Sequence, residues 1–164
     1  MRIVIGSDHR GTEVRDHLVS SLKGAGHDIQ AIDTDPDDGC DYPDVAYPVA
    51  ATVADGGAER GILICGSGIG MSIAANKVNG VRAALVHDEV GADMSRRHNN
   101  ANVLCLPADM LGMRIIVRLV MTWLAAPFDG GRHARRVKKI AVIEQGRDPG
   151  GMSEADISVV TDAS

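Results

Sequence analysis

The chain has 164 residues, of which 45% are apolar and 2% aromatic, with a formal charge of −5. That length and apolar share suit one domain with a full core and exclude a disordered chain. So few aromatics argue against a base-stacking platform for single-stranded nucleic acid, and the acidic balance argues against a general polyanion binder. A local arginine cluster still leaves room for a small anionic substrate.

Three cysteines, Cys40, Cys65 and Cys105, are an odd and widely spaced set. They fit neither a disulfide framework nor a zinc motif, and they point to a reducing compartment. No pair of His, Cys or carboxylate residues has metal-ligand spacing, so no metal is expected. The N-terminal MRIVIGSDHRG turns polar after a very short apolar run, unlike a signal peptide. The longest apolar region, residues 115–126, contains Arg118 and falls short of the ~20 residues that span a bilayer. The expectation is a cytoplasmic protein that binds neither membrane nor nucleic acid.

In chain order, residues 2–7 read as a first strand, followed by Asp8-His9-Arg10-Gly11 at its carboxyl end. Residues 12–25 read as a helix, with Val14, Leu18, Val19 and Leu22 on one face. A second strand covers 28–33, and a polar loop 34–43. The spacing of Val45, Ala46, Val49, Ala50 and Val53 predicts a helix over 44–55, with Pro48 in about its first turn. A fourth strand is predicted at 81–86, then a helix capped by Asp88 or Asp93 and running to about Arg97. A fifth strand covers 103–106, and Asp109 is expected to cap a long helix through Leu124. That helix is apolar on more than one side, which suggests burial against a second subunit as well as the sheet. Residues 132–145 form a basic helix with Val137, Ile140 and Ile143 inward. Residues 1–147 make one domain, and 148–164 a polar tail.

The third strand opens the most informative stretch, GILICGSGIGMSIAANK at 61–77. Ile62-Leu63-Ile64-Cys65 is an unbroken apolar run suited to a strand buried on both faces. Gly66, Gly68 and Gly70 alternate after it, and Met71, Ile73, Ala74 and Ala75 continue as a helix. Such a strand, glycine turn and helix present backbone N–H groups where an anion or a developing negative charge is favoured. Cys65 stands where the turn opens. A cysteine alone reads as a small buried residue; the glycine turn beside it adds a chemical reading.

Strands alternating with helices predict a doubly wound parallel sheet, a Rossmann-like three-layer α/β/α sandwich with five parallel strands. Ligands in such sheets bind outside the carboxyl ends of the strands. The plain readings of the candidate residues are modest. Asp8 caps a helix, His9 and His98 are solvated, Asp41-Tyr42-Pro43 is a turn, and the cations from Arg132 to Lys139 form a wet helix face. Arg132 and Arg136, however, lie four apart and share a face that suits one phosphate. Gly66, Gly68 and Gly70 do not match the dinucleotide fingerprint, no P-loop is present, and Ser67 is not in a GxSxG elbow. A nucleotide-binding oxidoreductase is therefore the weakest reading.

Five segments together resemble the sugar-phosphate isomerase family of type B ribose-5-phosphate isomerase and the galactose-6-phosphate isomerase subunits. They are IGSDHRG at the start, CDYPD at Cys40 to Asp44, GILICGSGIGMSIAANKVNGVRAALV at Gly61 to Val86, SRRHNNANVL at Ser95 to Leu104, and GGRHARRV at Gly130 to Val137. The resemblance implies a homodimer or dimer of dimers with its active site across the subunit interface, no metal and no nucleotide cofactor. The implied reaction interconverts an aldose phosphate and a ketose phosphate through a cis-enediolate. The implied roles are Cys65 as general base, Ser67 with the amides of Gly66, Gly68, Ile69 and Gly70 around the enediolate oxygen, and His98 opening the sugar ring with Asp41 or Asp8. His9, Arg132 and Arg136 are implied phosphate contacts, and Tyr42 and Asn99 line the pocket.

The chemistry agrees. A thiol must ionise to act as a base, a step that a helix N-terminus favours. Preorganised amides stabilise an oxyanion, and ring opening near neutrality suits histidine. One departure stands out. Asp109 occupies a position where many members of that family carry a phosphate-binding arginine, while Arg10 is an unusual addition beside His9. Ribose 5-phosphate is the default substrate, a four- or six-carbon sugar phosphate the alternative, and a non-catalytic phosphosugar-binding protein the reading from another class.

Overall fold

The computed structural model describes residues 1–32, 40–153 and 155. Strands and helices alternate along it as β1 (Arg2–Ser7), α1 (Thr12–Gly24), β2 (Asp28–Ile32), α2 (Tyr42–Ala54), β3 (Arg60–Cys65), α3 (Ile69–Ala75), β4 (Ala83–Leu85), α4 (Glu89–Asn99), β5 (Val103–Pro107), α5 (Met113–Ala125) and α6 (Arg132–Glu144). The five strands form one parallel sheet in the order β2-β1-β3-β5-β4. This is the predicted α/β/α sandwich.

The alternation of side chains along each strand builds the two core layers. Ile3, Ile5, Ile62, Ile64, Leu104 and Leu106 face α1, α4 and α5, where they meet Leu18, Leu22, Ile116, Leu119 and Trp123. Val4, Leu63, Cys65, Val103 and Cys105 face α2 and α3, against Val45, Val49, Met71 and Ala75. Each such aliphatic side chain, fully buried, contributes about 1.5–3 kcal/mol. With so few aromatics, close packing rests on branched aliphatics of matched size.

Several boundaries differ from the sequence reading. Helix α2 starts at Tyr42, because Pro43 fits the first turn. Pro48 therefore lies deeper in the helix than expected. It is tolerated because Asp44, whose carbonyl an amide at 48 would meet, is exposed to water. Strand β4, at one edge of the sheet, is only three residues, Ala83–Leu85. The Asn76 side chain covers that edge, accepting from Ala83 N at 2.9 Å and donating to Ala83 O at 2.8 Å. Asp88 does cap α4, accepting from Gly91 N at 2.7 Å. Asp109 does not cap α5, which starts at Met113 after Gly112; the Asp109 carboxylate is engaged elsewhere.

On α6 the buried residues are His133 and Val142, whereas Ile140 and Ile143 stay 36% and 58% exposed. They line a cavity of about 540 Å³ with Asn76, Lys77, Arg82 and Asn99. The predicted loop over 34–43 and the strand end at Asp33 fall mostly outside the described residues. Among the described residues no helix is long and apolar enough to cross a membrane.

Sheet order places the search for ligands. From β1 the chain winds first to β2 and then, after α2, to β3 on the other side. The carboxyl ends of β1 and β3 thus meet at a topological switch point, where such sheets open a crevice.

Candidate active site

At that switch point β1 delivers Asp8 and β3 delivers Cys65. Asp8 N donates to Ile64 O at 3.2 Å, so the two strand ends are joined directly. The Asp8 side chain does not cap α1; it is buried and accepts from Arg10 N at 3.0 Å. His9 beside it is exposed. Cys65 is 5% exposed, and its Sγ accepts an N–H from Gly68 at 3.0 Å. An amide hydrogen aimed at sulfur is a contact that favours negative charge there.

That amide is in place only because residue 68 is glycine. Its φ is +73°, and an added Cβ would come 2.5 Å from Leu85 Cδ1. The Ser67 hydroxyl accepts from Ile69 N at 3.3 Å at the start of α3. Across α3, the Tyr42 ring lies over Gly70, where a Cβ would meet its Cε2 at 2.8 Å. Asp41, the residue before α2, is exposed, and Cys40 Sγ donates to its carbonyl at 3.5 Å.

The turn after β5 closes the third side. Ala108 N donates to Cys65 O at 2.8 Å and Asp109 N to Gly66 O at 3.0 Å. Arg10 reaches across β3 to Asp109, with Nε 2.6 Å and Nη2 2.5 Å from Oδ2. Cys105, two residues before Pro107 on β5, is fully buried; burial and the neighbouring Cys65 push its thiol pKa up, so it stays protonated.

The other predicted residues stand at the opposite edge of the sheet. Helix α4 starts beyond the carboxyl end of β4 and runs back, so His98 and Asn99 lie beside the amino ends of the strands. The chain there is fixed by Arg82, whose Nε donates to Asn100 O at 3.0 Å, and by Gly61 N, which donates to Asn102 O at 2.9 Å. Asn100 is left-handed, with φ 48°, and ends the helix. Arg96, 4% exposed, ties the turn down by donating to Asn100 Oδ1 at 2.9 Å and Ala101 O at 2.6 Å. Burial lowers the pKa of this guanidinium to about 10, and it lies 5.8 Å from the centre of the buried Trp123 ring. Arg132 and Arg136 are exposed on α6, which begins at this edge.

Two residues here, His133 and Asp129, were not singled out from the sequence. His133 is in the GGRHARRV segment directly after Arg132, and that adjacency was its available signal. Its imidazole stacks on His98, with centroids 4.1 Å apart and planes within 5°. Arg132 Nε donates to His133 Nε2 at 3.4 Å. Burial, then His98, Arg132 and Arg136, lower the His133 pKa below the ordinary histidine value. Asp129 has both carboxylate oxygens 3.3 Å from Arg97 Nε. His98, Asp129 and His133 are close enough to suggest a metal. A shared ion, however, would need the in-plane lone pairs of the two rings to converge, and parallel rings send them side by side. Three arginines around the group oppose a cation further.

One chain therefore brings together Asp8, His9, Asp41, Tyr42, Cys65, Ser67 and the 66–70 turn at one edge, and His98, Asn99, Arg132 and Arg136 at the other. The length of β3, about 16 Å at ~3.3 Å per residue, separates the two groups.

Comparison with known proteins identifies the family. The family described as Ribose/Galactose Isomerase matches residues 3–140. Ribose-5-phosphate isomerase B of Escherichia coli is 40% identical, over 90% of this chain and 99% of that one. D-erythrulose-4-phosphate isomerase of Pectobacterium atrosepticum is 41% identical, over 88% and 95%. Among solved structures, Clostridium thermocellum ribose-5-phosphate isomerase B superposes with a TM-score of 0.87 at 46% identity, covering 89% of this chain and 99% of that one. The Mycoplasma genitalium ribose-5-phosphate isomerase B, solved with bound ribulose-5-phosphate, gives 0.85 at 41% identity, covering 88% and 96%. With matches that span nearly the whole domain, the chain belongs to the ribose/galactose isomerase family.

Proposed function

We propose that this protein is an aldose–ketose sugar-phosphate isomerase that interconverts ribose 5-phosphate and ribulose 5-phosphate, with Cys65 as the base. The observation that carries the reading is the division of the candidate residues between two edges of one chain. One edge holds a thiol with an amide aimed at its sulfur. The other holds an imidazole and a pair of arginines on one helix face. Two copies related by a twofold axis give each Cys65 the partner's histidine and arginines, and so form two identical composite sites. Exposed apolar side chains around the Cys65 turn support such a partner: Tyr42, Tyr47, Ile69 and Ile73 are 43–66% exposed on α2 and α3. A homodimer is the smallest assembly that completes the site.

In this scheme His98 transfers the proton that opens the sugar ring, and the arginines hold the phosphate far from the reacting carbons. The Cys65 thiolate takes the proton from C2 of the open aldose. The electron pair moves to the C1 oxygen, and the resulting enediolate is held by the amides of the 66–70 turn and by Ser67. The O2 hydroxyl proton passes to O1, the electron pair left on O2 forms the C2 carbonyl, and return of the carbon-bound proton to C1 yields the ketose, with no net gain or loss of electrons. Neither a metal nor a nucleotide has a role in these steps.

Isomerisation of four-, five- and six-carbon aldose phosphates by the purified protein tests the proposal. Highest kcat/KM on ribose 5-phosphate is expected. Highest kcat/KM on a four- or six-carbon substrate overturns the substrate, and binding without turnover on all of them overturns the activity.

A further inference from the structure

We propose that Arg10, clamped by Asp109, is a substrate-phosphate ligand on the Cys65 side of the site. The inference rests on the isomerase reading and adds a specificity-determining pair to it. It starts from sheet order: β1, β3 and β5 are neighbours, so the residues after β1 and β5 face one another across the end of β3. Arg10 and Asp109 are ninety-nine residues apart, yet they close an ion pair over that end.

Both ends of the pair are anchored to the catalytic turn. Arg10 N donates to Asp8 Oδ1 at 3.0 Å, and Asp109 N donates to Gly66 O at 3.0 Å. The pair lies directly on Gly66. An added Cβ there would come 2.6 Å from Asp109 Oδ2 and 2.8 Å from Arg10 Nε. Residue 66 thus has no side chain in the space that the pair occupies, one residue from the thiol.

The clamp is one-sided. Nε donates to Oδ2 and Nη2 lies 2.5 Å from the same oxygen, so the carboxylate engages one edge of a guanidinium that has five N–H donors. The Arg10 side chain is 56% exposed, so the guanidinium is reachable from solvent. A guanidinium held edge-on by a carboxylate, with donors to spare, is preorganised for a phosphate. A surface ion pair made for stability alone would contribute little, because exposed pairs are weak. In the assembled site the phosphate then meets Arg10 from the subunit that supplies the thiol, and Arg132 and Arg136 from the partner.

The test uses the intact protein with ribose 5-phosphate as substrate. Ribitol 5-phosphate and ribitol, which have no carbonyl and cannot react, serve as binding probes. Arg10→Gln is expected to raise KM about tenfold with kcat within about threefold, and to cut the preference for ribitol 5-phosphate over ribitol by a similar factor. Arg10→Lys, which keeps the charge but not the fork, should fall between. Asp109→Ala should raise KM several-fold, and the double variant should be no worse than Arg10→Gln alone, because the aspartate acts only through the arginine.

A fall in kcat at constant KM would move Arg10 to the enediolate and overturn the proposal, as would additive single effects or unchanged kinetics. If the unmodified protein prefers ribitol 5-phosphate and Arg10→Gln keeps that preference, this proposal fails alone. If the unmodified protein shows no preference, the phosphosugar reading fails with it.

Discussion

The imidazoles of His98 and His133 lie face to face, 4.1 Å apart at their centroids and nearly parallel. Two rings this close, with Arg132 donating to one of them, do not both accept a charge readily. His133 is the ring held neutral, because burial and the cations around it lower its pKa. Its proton is bound more readily in the unfolded chain. The stabilising contribution is therefore full above the ordinary histidine value of ~6.5 and declines as pH falls below it. The His133 ring resonances should titrate below that value, and thermal melts should show less loss of stability between pH 7.5 and 5.5 in His133→Asn than in the unmodified protein. Equal losses would mean that the stack carries no such linkage.

The separation of Cys65 from His98 makes a sharp prediction for mixed variants. Cys65→Ala and His98→Asn should each be nearly inactive alone. Mixed in equal amounts and allowed to exchange subunits, they should form, on the proposed homodimer, heterodimers in which one of two sites has both residues intact. Random exchange restores about a quarter of the unmodified activity. No recovery, with subunit exchange verified by native mass spectrometry, would place both residues in one subunit's site.

The two buried thiols should behave oppositely. Cys105 is locked in the core and kept protonated, so Cys105→Ala should retain kcat and KM and lose only about 1 kcal/mol of stability from the packing defect. Chemical denaturation and the isomerase assay read the two effects separately. Loss of activity with a normal fold would give Cys105 a chemical role.

Arg96 holds the turn after His98 from within the core. Arg96→Met removes the donors to Asn100 Oδ1 and Ala101 O and leaves a buried carbonyl unsatisfied, at a cost of about 2 kcal/mol. The melting temperature should fall, and kcat with it, because His98 and Asn99 end the helix that this turn anchors. An unchanged melting temperature would mean that water replaces the guanidinium.

Much of this protein was legible in the order of its residues. The apolar runs at Ile3–Ile5, Ile62–Ile64 and Val103–Leu106 identified buried parallel strands, since strands covered on both faces need no polar alternation. Asp88 announced α4 through local capping chemistry, and the glycines at 66, 68 and 70 announced a tight turn beside a thiol. Helix boundaries were less legible where a distant group intervened. Asp109 has the chemistry of a helix cap, but Arg10 claims its carboxylate, and no local rule contains that partner. Likewise Ile140 and Ile143 have helical spacing but not burial, because α6 packs at the margin of the molecule.

By itself the sequence determined the fold class, the two core layers and the identity of the thiol turn, all of which follow from periodicity and short-range backbone chemistry. Only the tertiary structure decided where the candidate residues stand relative to one another. Helix α4 must run back antiparallel to the strands for β5 to start at the same edge as β4. That return carries His98 away from Cys65, and the same sheet order brings Arg10 and Asp109 together over Gly66. Distances of this kind arise from the packing of whole elements, and no spacing along the chain encodes them.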